Sequence, residues 1–395
     1  MTARLVRLAV PLYTAAVIVV ISLADGGFFR WTWPWATAGL AAAAAGAALL
    51  RTGARVTLLE AAFVAGLAAL SAWQALSAEW SPDPERSLED ALRGTVYVAA
   101  AAAFLVLARV AGPRAVVVGV VGGAGVTLTV GLVEHARRGT SDPFQGFQGD
   151  LLYKPIGYAN AVAILAVIAI LLALGLLVER QSTAVRAALG GVVFVSAAAL
   201  LLTEGRGAWL AGAVGLAAAA VFHRLRRWPW AFPGYLGLVG LLVVAILVSP
   251  LVVEPARLYA ILSGRAYYWP LAWHALGSPL HGLGSGAFAQ LWALERPVPV
   301  NAIDAHSLFL EALLELGAVG LVVVAVTLAL PLMVASRLTG GWAAGATGAY
   351  TAFLVHAAFD WDWEMPAVTI AGLACGAALL AAGSAAGSGR LALRP

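Results

Sequence analysis

Charged residues are scarce in this chain. Only 11% of its 395 residues are Asp, Glu, Lys or Arg, whereas 62% are hydrophobic. Soluble domains carry about 25% charged and about 45–50% apolar residues, and a water-soluble fold of this length could not bury so much apolar surface. The composition therefore excludes a soluble globular protein and predicts a protein that crosses a membrane many times.

Cysteine is almost absent as well. The single cysteine, Cys375, lies inside the last apolar run, which excludes an intrachain disulfide and a cysteine-rich metal cluster. No internal repeat is visible. The glycine-rich stretch HGLGSGAF at 281–288 is not the GxGxxG pattern and follows no predicted strand, so nucleotide binding is not expected there. A flexible turn is the favoured interpretation of this stretch, and a backbone anion site is the alternative.

Runs of about 20 apolar residues recur along the whole chain, and this is the length that crosses about 30 Å of hydrocarbon. The sequence therefore predicts a single all-α, polytopic membrane domain over residues 1–395, with about twelve transmembrane helices. The predicted spans are 8–24, 34–50, 56–76, 94–110, 115–133, 156–177, 186–203, 206–222, 232–251, 307–335, 342–359 and 366–384.

One connection is much longer than the others. Residues 252–305 are rich in Pro, Gly and aromatic residues and are too polar to cross a bilayer. Loops of this length are usually functional or disordered. The alternating stretch YYWPLAWHAL within the segment favours a short interfacial helix over disorder.

The basic residues predict the orientation. With the N-terminus in the cytoplasm, 14 of the 24 Lys and Arg residues fall in short connections on the inner side, as the positive-inside rule requires. On this assignment 18 of the 20 acidic residues lie near the outer side. We therefore expect a multi-pass protein of the cytoplasmic membrane, with both termini inside and the chemistry on the extracytoplasmic face.

Polar side chains from five distant stretches map to that outer level. TEGRGAWL carries Glu204 and Arg206, SGRAYYW carries Arg265, GYAN carries Tyr158 and Asn160, NAIDAHSLFLEALLELG carries Asp304, His306, Glu311 and Glu315, and HAAFDWDWEMP carries His356, Asp360, Asp362 and Glu364. Two guanidinium groups and an imidazole at one membrane level suit a phosphate-bearing lipid. Arg offers a planar fork of donors that matches phosphate, and His can take a proton from an attacking hydroxyl near neutral pH.

Each of these residues also has a structural interpretation. Arg206 could anchor a helix end at the lipid headgroups, Arg265 could pair with Glu254, and His306 could be a helix-start residue capped by Asp304. Asp360-Trp361-Asp362 has the spacing of a metal-binding carboxylate pair, but no further ligands complete a set. We therefore expect no metal.

Taken together, these stretches resemble the O-antigen ligase and polymerase family of membrane glycosyltransferases over about residues 75–385. TEGRGAWLAGAVGL is similar to the family's S-R-G-A-W-L motif. AHSLFLEALLELGAVGL is similar to H-N-x-x-L-x-x-x-x-E-x-G-x-x-G, with Ser307 where Asn is usual. The stretch from SGRAYYW to GLGSGAF and the stretch GYANAVAILA are similar to two further segments of the family.

The resemblance implies a GT-C-like fold and an inverting glycosyl transfer without metal or cofactor. The donor would be a glycan on undecaprenyl pyrophosphate, and the acceptor a glycan or protein hydroxyl. Arg206, Arg265 and His306 would be the catalytic residues, with Arg206 and Arg265 on the pyrophosphate and His306 on the acceptor hydroxyl. We expect Asn160, Tyr158, Glu204, Asp304 and Asp360 to contribute to substrate binding, and Glu315 to be structural.

Three functions remain open at this point. The first is an O-antigen ligase or polysaccharide polymerase, and the second is an O-linked protein glycosyltransferase of the same superfamily. The third is a small-solute transporter of the bicarbonate type, which the absence of a repeat pair argues against. Membrane lipids are expected partners of all three, and nucleic acid of none.

Overall fold

The computed structural model describes residues 2–49, 56–137, 148–225, 228, 230–335 and 337–391, and these ranges contain helices and no strand. The helices are α1 (Thr2–Leu23), α2 (Trp33–Leu49), α3 (Leu58–Ser77), α4 (Pro84–Ala111), α5 (Pro113–Arg137), α6 (Ala159–Leu177), α7 (Thr183–Thr203), α8 (Arg206–Leu225), α9 (Ala231–Val252), α10 (Pro255–Leu262), α11 (Arg265–His274), α12 (Ala287–Glu295), α13 (Leu308–Ala335), α14 (Gly341–Ala357) and α15 (Pro366–Leu391).

Each predicted span falls on one of the long helices. Within the described ranges, eight helices are long and apolar enough to cross a membrane: α3, α4, α5, α6, α7, α9, α13 and residues 366–384 of α15. Residues 7–23 and 206–222 are shorter apolar helices. The protein is therefore an all-helical polytopic membrane protein, while the number twelve and the GT-C-like arrangement stay predictions. Residue 50 of the second span, and the basic residues Arg51, Arg55, Arg226, Arg227 and Arg394, lie outside the described ranges.

The fourth span is longer than its apolar run. The run begins near residue 94, but α4 begins ten residues earlier, at Pro84. Asp83 accepts a hydrogen bond from the Arg86 backbone N–H and Pro84 occupies the first helical turn, where its missing N–H costs nothing. The polar first turns of α4 therefore belong to the helix, and they extend it toward the predicted outer level.

Small residues bring α6, α8 and α14 close together. A Cβ atom on Gly345 of α14 would lie 2.8 Å from the Leu171 carbonyl oxygen of α6, and one on Gly215 of α8 would lie 2.5 Å from the Gly348 carbonyl oxygen of α14. Membrane helices approach this closely where they have small side chains. The packing places the N-termini of α6 and α8 and the C-terminus of α14 at one end of the bundle.

The long connection is built of three short helices, α10, α11 and α12. The expected helix in YYWPLAWHAL is present as α11, whose Trp269 is buried and donates to the Ala305 carbonyl oxygen at 3.0 Å. The stretch 279–284 pairs with α13 at Gly317, which adopts a φ of 66°. There Leu283 N–H donates to Leu314 O at 3.0 Å and Ala318 N–H donates to Pro279 O at 2.8 Å. The connection is therefore fixed to the bundle by backbone hydrogen bonds.

Candidate active site

A cavity of about 420 Å³ opens at the end of the bundle where α6, α8 and α14 meet. Its polar wall contains Asn160, Glu204, Arg206, Arg265 and Asp360. These residues come from the start of α6, the turn before α8, the start of α11 and the segment after α14. The structure thus brings together five of the residues that the sequence singled out, from four distant parts of the chain.

Asp360 is the centre of the polar wall. Its Oδ2 accepts from Arg265 Nη2 at 2.6 Å and from Asn160 Nδ2 at 2.7 Å. Its Oδ1 accepts from the Tyr158 hydroxyl and the Trp361 backbone N–H, both at 2.9 Å. Burial is the largest single influence and raises the pKa of Asp360, but the influences that lower it, of which the Arg265 guanidinium is the largest, together outweigh burial and hold the pKa below its usual value. Asp360 is therefore an ionised, fully bonded carboxylate that fixes the position of Arg265.

Arg265 is held differently from Arg206. Arg265 is 17% exposed, and its Nε donates to the Phe359 carbonyl oxygen in addition to the ion pair with Asp360. The pairing with Glu254 that the sequence left open is not formed, since Glu254 lies 3.3 Å from Arg257 instead. Arg265 therefore presents to the cavity a guanidinium whose charge is already balanced.

Arg206 carries a charge that no described carboxylate balances. It follows a tight turn in which Glu204 adopts a φ of 50° and Gly205 packs against Ala163 of α6. The Arg206 guanidinium donates to the Ala260 carbonyl oxygen at 2.5 Å and to Ser263 Oγ at 3.4 Å, both neutral acceptors. An anion in the cavity would therefore meet an uncompensated positive charge at Arg206 and a fixed donor fork at Arg265.

His306 lies beside the cavity and is not one of its lining residues. Its ring centroid is 5.2 Å from that of Tyr268 and 5.9 Å from that of Trp361, which in turn contacts Tyr158 at 4.8 Å. Of the three groups expected to converge, the two arginines therefore lie in the cavity wall, and the imidazole lies outside that wall, among Tyr268 and Trp361.

The hydrogen bond of His306 assigns its tautomer. Nδ1 lies 2.9 Å from the Asp304 carbonyl oxygen, and because a carbonyl can only accept, the hydrogen belongs on Nδ1. Nε2 then carries the lone pair that a general base needs. Burial, and next the positive charge of Arg265, lower the pKa of His306, so the neutral base predominates at pH 7. Capping by the Asp304 carboxylate is not formed, since that carboxylate pairs with Arg86 at 3.1 Å.

Three carboxylates form a cluster next to the backbone segment that carries His306. Oxygen atoms of Asp304, Glu311 and Glu364 all lie within 4.8 Å of one another. Glu311 accepts from the Ala305 backbone N–H at 2.7 Å, and Glu364 lies 3.4 Å from Arg93. Burial raises the pKa of Asp304 and of Glu364, so this cluster favours bound protons, and through Ala305 it fixes the backbone that carries His306.

Glu315 joins two of the sequence motifs. Its two carboxylate oxygens accept from the backbone N–H groups of Gly286 and Phe288, each at 2.9 Å. These are the orphan donors at the start of α12, where a negative charge is favoured. These hydrogen bonds connect α13 to the start of α12. The stretch GLGSGAF is therefore a packed turn with Gly282, Gly284 and Gly286 at positive φ, so the turn favoured from the sequence is present.

The two carboxylates of Asp360-Trp361-Asp362 do not point toward a common site. The Asp360 carboxylate pairs with Arg265, whereas the Asp362 carboxylate lies 2.6 Å from His356 Nδ1 in a buried pair. Sequence reasoning missed both pairings. Asp360 and Arg265 are 95 residues apart in the chain, and their shared outer level was the only signal that could have suggested their contact.

The geometry defines a class of protein, namely an all-helical membrane protein with a charged cavity at one end of its bundle and a buried histidine beside it. Residues 191–325 match the model of a protein family described as O-antigen ligase. The match includes Arg206, Arg265, His306 and Glu315, and it confirms the resemblance to this family of glycan-transferring membrane enzymes. No curated protein matches the chain.

Proposed function

We propose that the protein is a glycosyltransferase that moves a glycan from undecaprenyl pyrophosphate to an acceptor hydroxyl at the outer face of the cytoplasmic membrane. The observation that carries the proposal is the pairing of Arg206, whose charge is uncompensated, with the fixed fork of Arg265 in one cavity. A pyrophosphate is a dianionic group of the size and charge that two guanidinium groups bind.

The reaction needs no nucleotide or metal because the bond to pyrophosphate supplies the energy. The acceptor oxygen attacks the anomeric carbon from the face opposite the pyrophosphate, which inverts its configuration. The bond from that carbon to the pyrophosphate oxygen breaks, and undecaprenyl pyrophosphate leaves with the electron pair. The hydroxyl proton passes to Nε2 of His306.

The polar wall contributes electrostatic stabilisation. Negative charge grows on the pyrophosphate as its bond to the sugar breaks, and the role we assign to Arg206 and Arg265, which line one cavity, is to stabilise that charge. Asp360, with Asn160 and Tyr158, keeps Arg265 in place during the reaction. Glu204, at the cavity rim beside Arg206, is suited to accept a hydrogen bond from a sugar hydroxyl.

The acceptor separates the ligase or polymerase from the protein glycosyltransferase. Loss of surface polysaccharide in a deletion strain supports the first, and loss of protein-linked glycan, detected by mass spectrometry, supports the second. Solute uptake into liposomes that does not depend on His306 would instead support the transporter.

The direct test is transfer by Arg206→Ala. Arg206 is exposed and bonds only to neutral acceptors, so its removal leaves no buried group without a partner. We expect transfer to fall about 100-fold or more, the effect of removing one donor to a developing negative charge, at unchanged protein abundance. Arg257→Ala, which removes an exposed arginine of α10, is the matched control. Full transfer by Arg206→Ala would refute the proposal.

A further inference from the structure

One group of acidic side chains in the protein carries more negative charge than its neighbours balance. We call it the carboxylate cluster, and it consists of Asp304, Glu311 and Glu364. Asp304 pairs with Arg86 at 3.1 Å, and Glu364 lies 3.4 Å from Arg93, which also pairs with Asp90 at 2.8 Å. Within the described residues, the cluster and Asp90 therefore share two arginines. If all four carboxylates are ionised, two negative charges remain uncompensated.

One oxygen of the cluster is buried without a partner. The Asp304 side chain is 5% exposed, and its Oδ1 accepts from Arg86 Nη2. Its Oδ2 has no hydrogen-bond partner among the described residues. A buried acceptor that is left unsatisfied costs about 1–3 kcal/mol, and more when it is charged. Oδ2 is therefore an open position for a ligand of positive charge.

A small cavity borders the carboxylate cluster. Its volume is about 30 Å³, and Glu311, Glu364 and Ser285 are among the residues that line it. A single water needs about 10–15 Å³. The cavity therefore has room for an ion together with a water molecule.

Protons and a cation are the two ways to balance this excess charge. A proton joins only two oxygens, whereas a divalent cation contacts all three carboxylates and supplies both missing charges at once. A ligand set made only of oxygen suits calcium, magnesium or manganese. The cluster therefore matches a hard divalent cation in charge and in ligand type.

The spacing of the oxygens favours calcium over magnesium. Calcium binds oxygen at about 2.3–2.6 Å, so two ligands on opposite sides lie about 4.6–5.2 Å apart, but magnesium binds at about 2.0–2.1 Å and holds its ligands at most about 4.2 Å apart. Oxygens of the three cluster residues lie within 4.8 Å of one another. Calcium therefore fits this arrangement without a rearrangement of the carboxylates.

We propose that the carboxylate cluster binds one calcium ion through Asp304 Oδ2 and the carboxylates of Glu311 and Glu364, with water as a further ligand. This inference goes beyond the proposed function, because the ion takes no part in the transfer. It instead fixes a backbone segment to the stretch that follows α14.

That segment carries His306. Glu311 accepts from the Ala305 backbone N–H at 2.7 Å, and the Asp304 carbonyl oxygen accepts from His306 Nδ1 at 2.9 Å. His306 has a φ of 57°, a conformation that a residue other than glycine keeps only when its surroundings hold it. Calcium on Asp304 and Glu311 holds this segment from both sides.

The experiment measures calcium binding to the purified full chain after treatment with a chelator. Native mass spectrometry should show one calcium ion per chain. Calcium chloride should raise the melting temperature of the wild-type protein by about 3 °C or more, with a midpoint at about 0.1–1 mM calcium, the range of extracellular calcium modules. Magnesium chloride at the same concentration should give a smaller shift.

Glu311→Gln is the selective variant. Its amide oxygen can still accept from the Ala305 N–H, but one uncompensated charge is removed. Without calcium it should therefore melt at or above the wild-type temperature, and it should lose the shift that calcium causes. Glu254→Gln, which changes an exposed acid outside the cluster, is the matched control and should keep the full shift. Glu364→Gln gives the same comparison if Glu311→Gln does not fold.

Three results would overturn the inference: no calcium bound to the wild-type chain, a calcium shift in Glu311→Gln equal to that of Glu254→Gln, or an equal shift with magnesium. The proposed function is tested separately. Arg206→Ala should bind calcium as the wild-type protein does, so a failure of calcium binding and a failure of the transfer assignment are distinct results.

Discussion

At the residue scale, the buried charged groups of the site, Arg265 and Asp360, are partners of opposite charge. Asp360 bonds to four donors from three parts of the chain, and Arg265 bonds to Asp360 and to the Phe359 carbonyl oxygen. A buried ion pair stabilises little compared with apolar residues of the same size, but the loss of one partner is costly. This asymmetry distinguishes the two arginines. Removal of Arg206 leaves no buried charge without a counter-ion, because Arg206 bonds only to neutral acceptors.

Removal of the Asp360 charge tests this difference. Asp360→Asn leaves Arg265 without its counter-ion, so we expect a loss of about 2–3 kcal/mol in unfolding free energy, measured as a lower melting temperature in detergent. Arg206→Ala should melt like wild type. The double variant Arg265→Met, Asp360→Asn keeps an acceptor oxygen for Tyr158 and the Trp361 N–H and removes the unpaired guanidinium, so it should recover stability relative to Asp360→Asn without recovering transfer. If it stays as unstable as Asp360→Asn, the cause is not the unpaired charge.

The pH dependence of transfer tests His306. Its pKa is lowered from the ordinary value of 6.5 by burial and then by Arg265, and the base is active only when neutral. As pH falls, kcat/KM should therefore hold through pH 6.5 and decline only below it. Melting curves over the same pH range separate this decline from unfolding. A decline with its midpoint above 6.5 would contradict the assignment.

The sequence predicts residues of this site but not their pairing. The chemistry of Arg206, Arg265, His306 and Asp360 and their common outer level were visible in four separate stretches. The contact between Asp360 and Arg265 was not, because it depends on how α11 lies across the end of the bundle. The tautomer of His306 likewise depends on a backbone carbonyl whose direction no motif specifies.

At the element scale, the break in α13 fixes the long connection to the bundle. Gly317 combines a φ of 66° with a ψ of −164°, a conformation that is essentially restricted to glycine. A Cβ atom there would lie 2.4 Å from the carbonyl carbon of Leu280. The apolar pattern of the tenth span gave no sign of this break, because a single glycine is tolerated in a helical pattern.

Gly317→Ala should therefore destabilise the protein. We expect a cost of about 2 kcal/mol or more from backbone strain alone, seen as a lower melting temperature and reduced abundance. Gly46→Ala is the control, because Gly46 lies in α2 with open space around its Cβ position. If Gly317→Ala melts with or above Gly46→Ala, the backbone pairing between 279–284 and α13 is not formed in the membrane.

At the scale of the whole molecule, the lengths of the apolar runs predict where the long helices lie, but they predict the ends of those helices less accurately. Apolar runs locate helices because each must cover hydrocarbon, so every predicted span falls on a helix. The polar first turns of α4 and the three short helices of the long connection carry no such signal. Their positions are determined by capping, by buried Trp269 and by pairing with α13.

The orientation can be tested with cysteines, since the single native cysteine, Cys375, is buried. Leu294 in α12 is 83% exposed, and Thr183 begins α7 after a predicted inner connection. A membrane-impermeant maleimide should label Leu294→Cys in intact spheroplasts and Thr183→Cys only after permeabilisation. The reverse pattern would place the charged cavity in the cytoplasm and exclude an extracytoplasmic transfer.

The most direct test of the whole proposal is a cryo-electron microscopy structure of the protein with undecaprenyl pyrophosphate. We expect phosphate oxygens at about 2.7–2.9 Å from guanidinium nitrogens of both Arg206 and Arg265, with Nε2 of His306 facing the same space. A diphosphate bound away from both arginines, or at the opposite end of the bundle, would contradict the proposal.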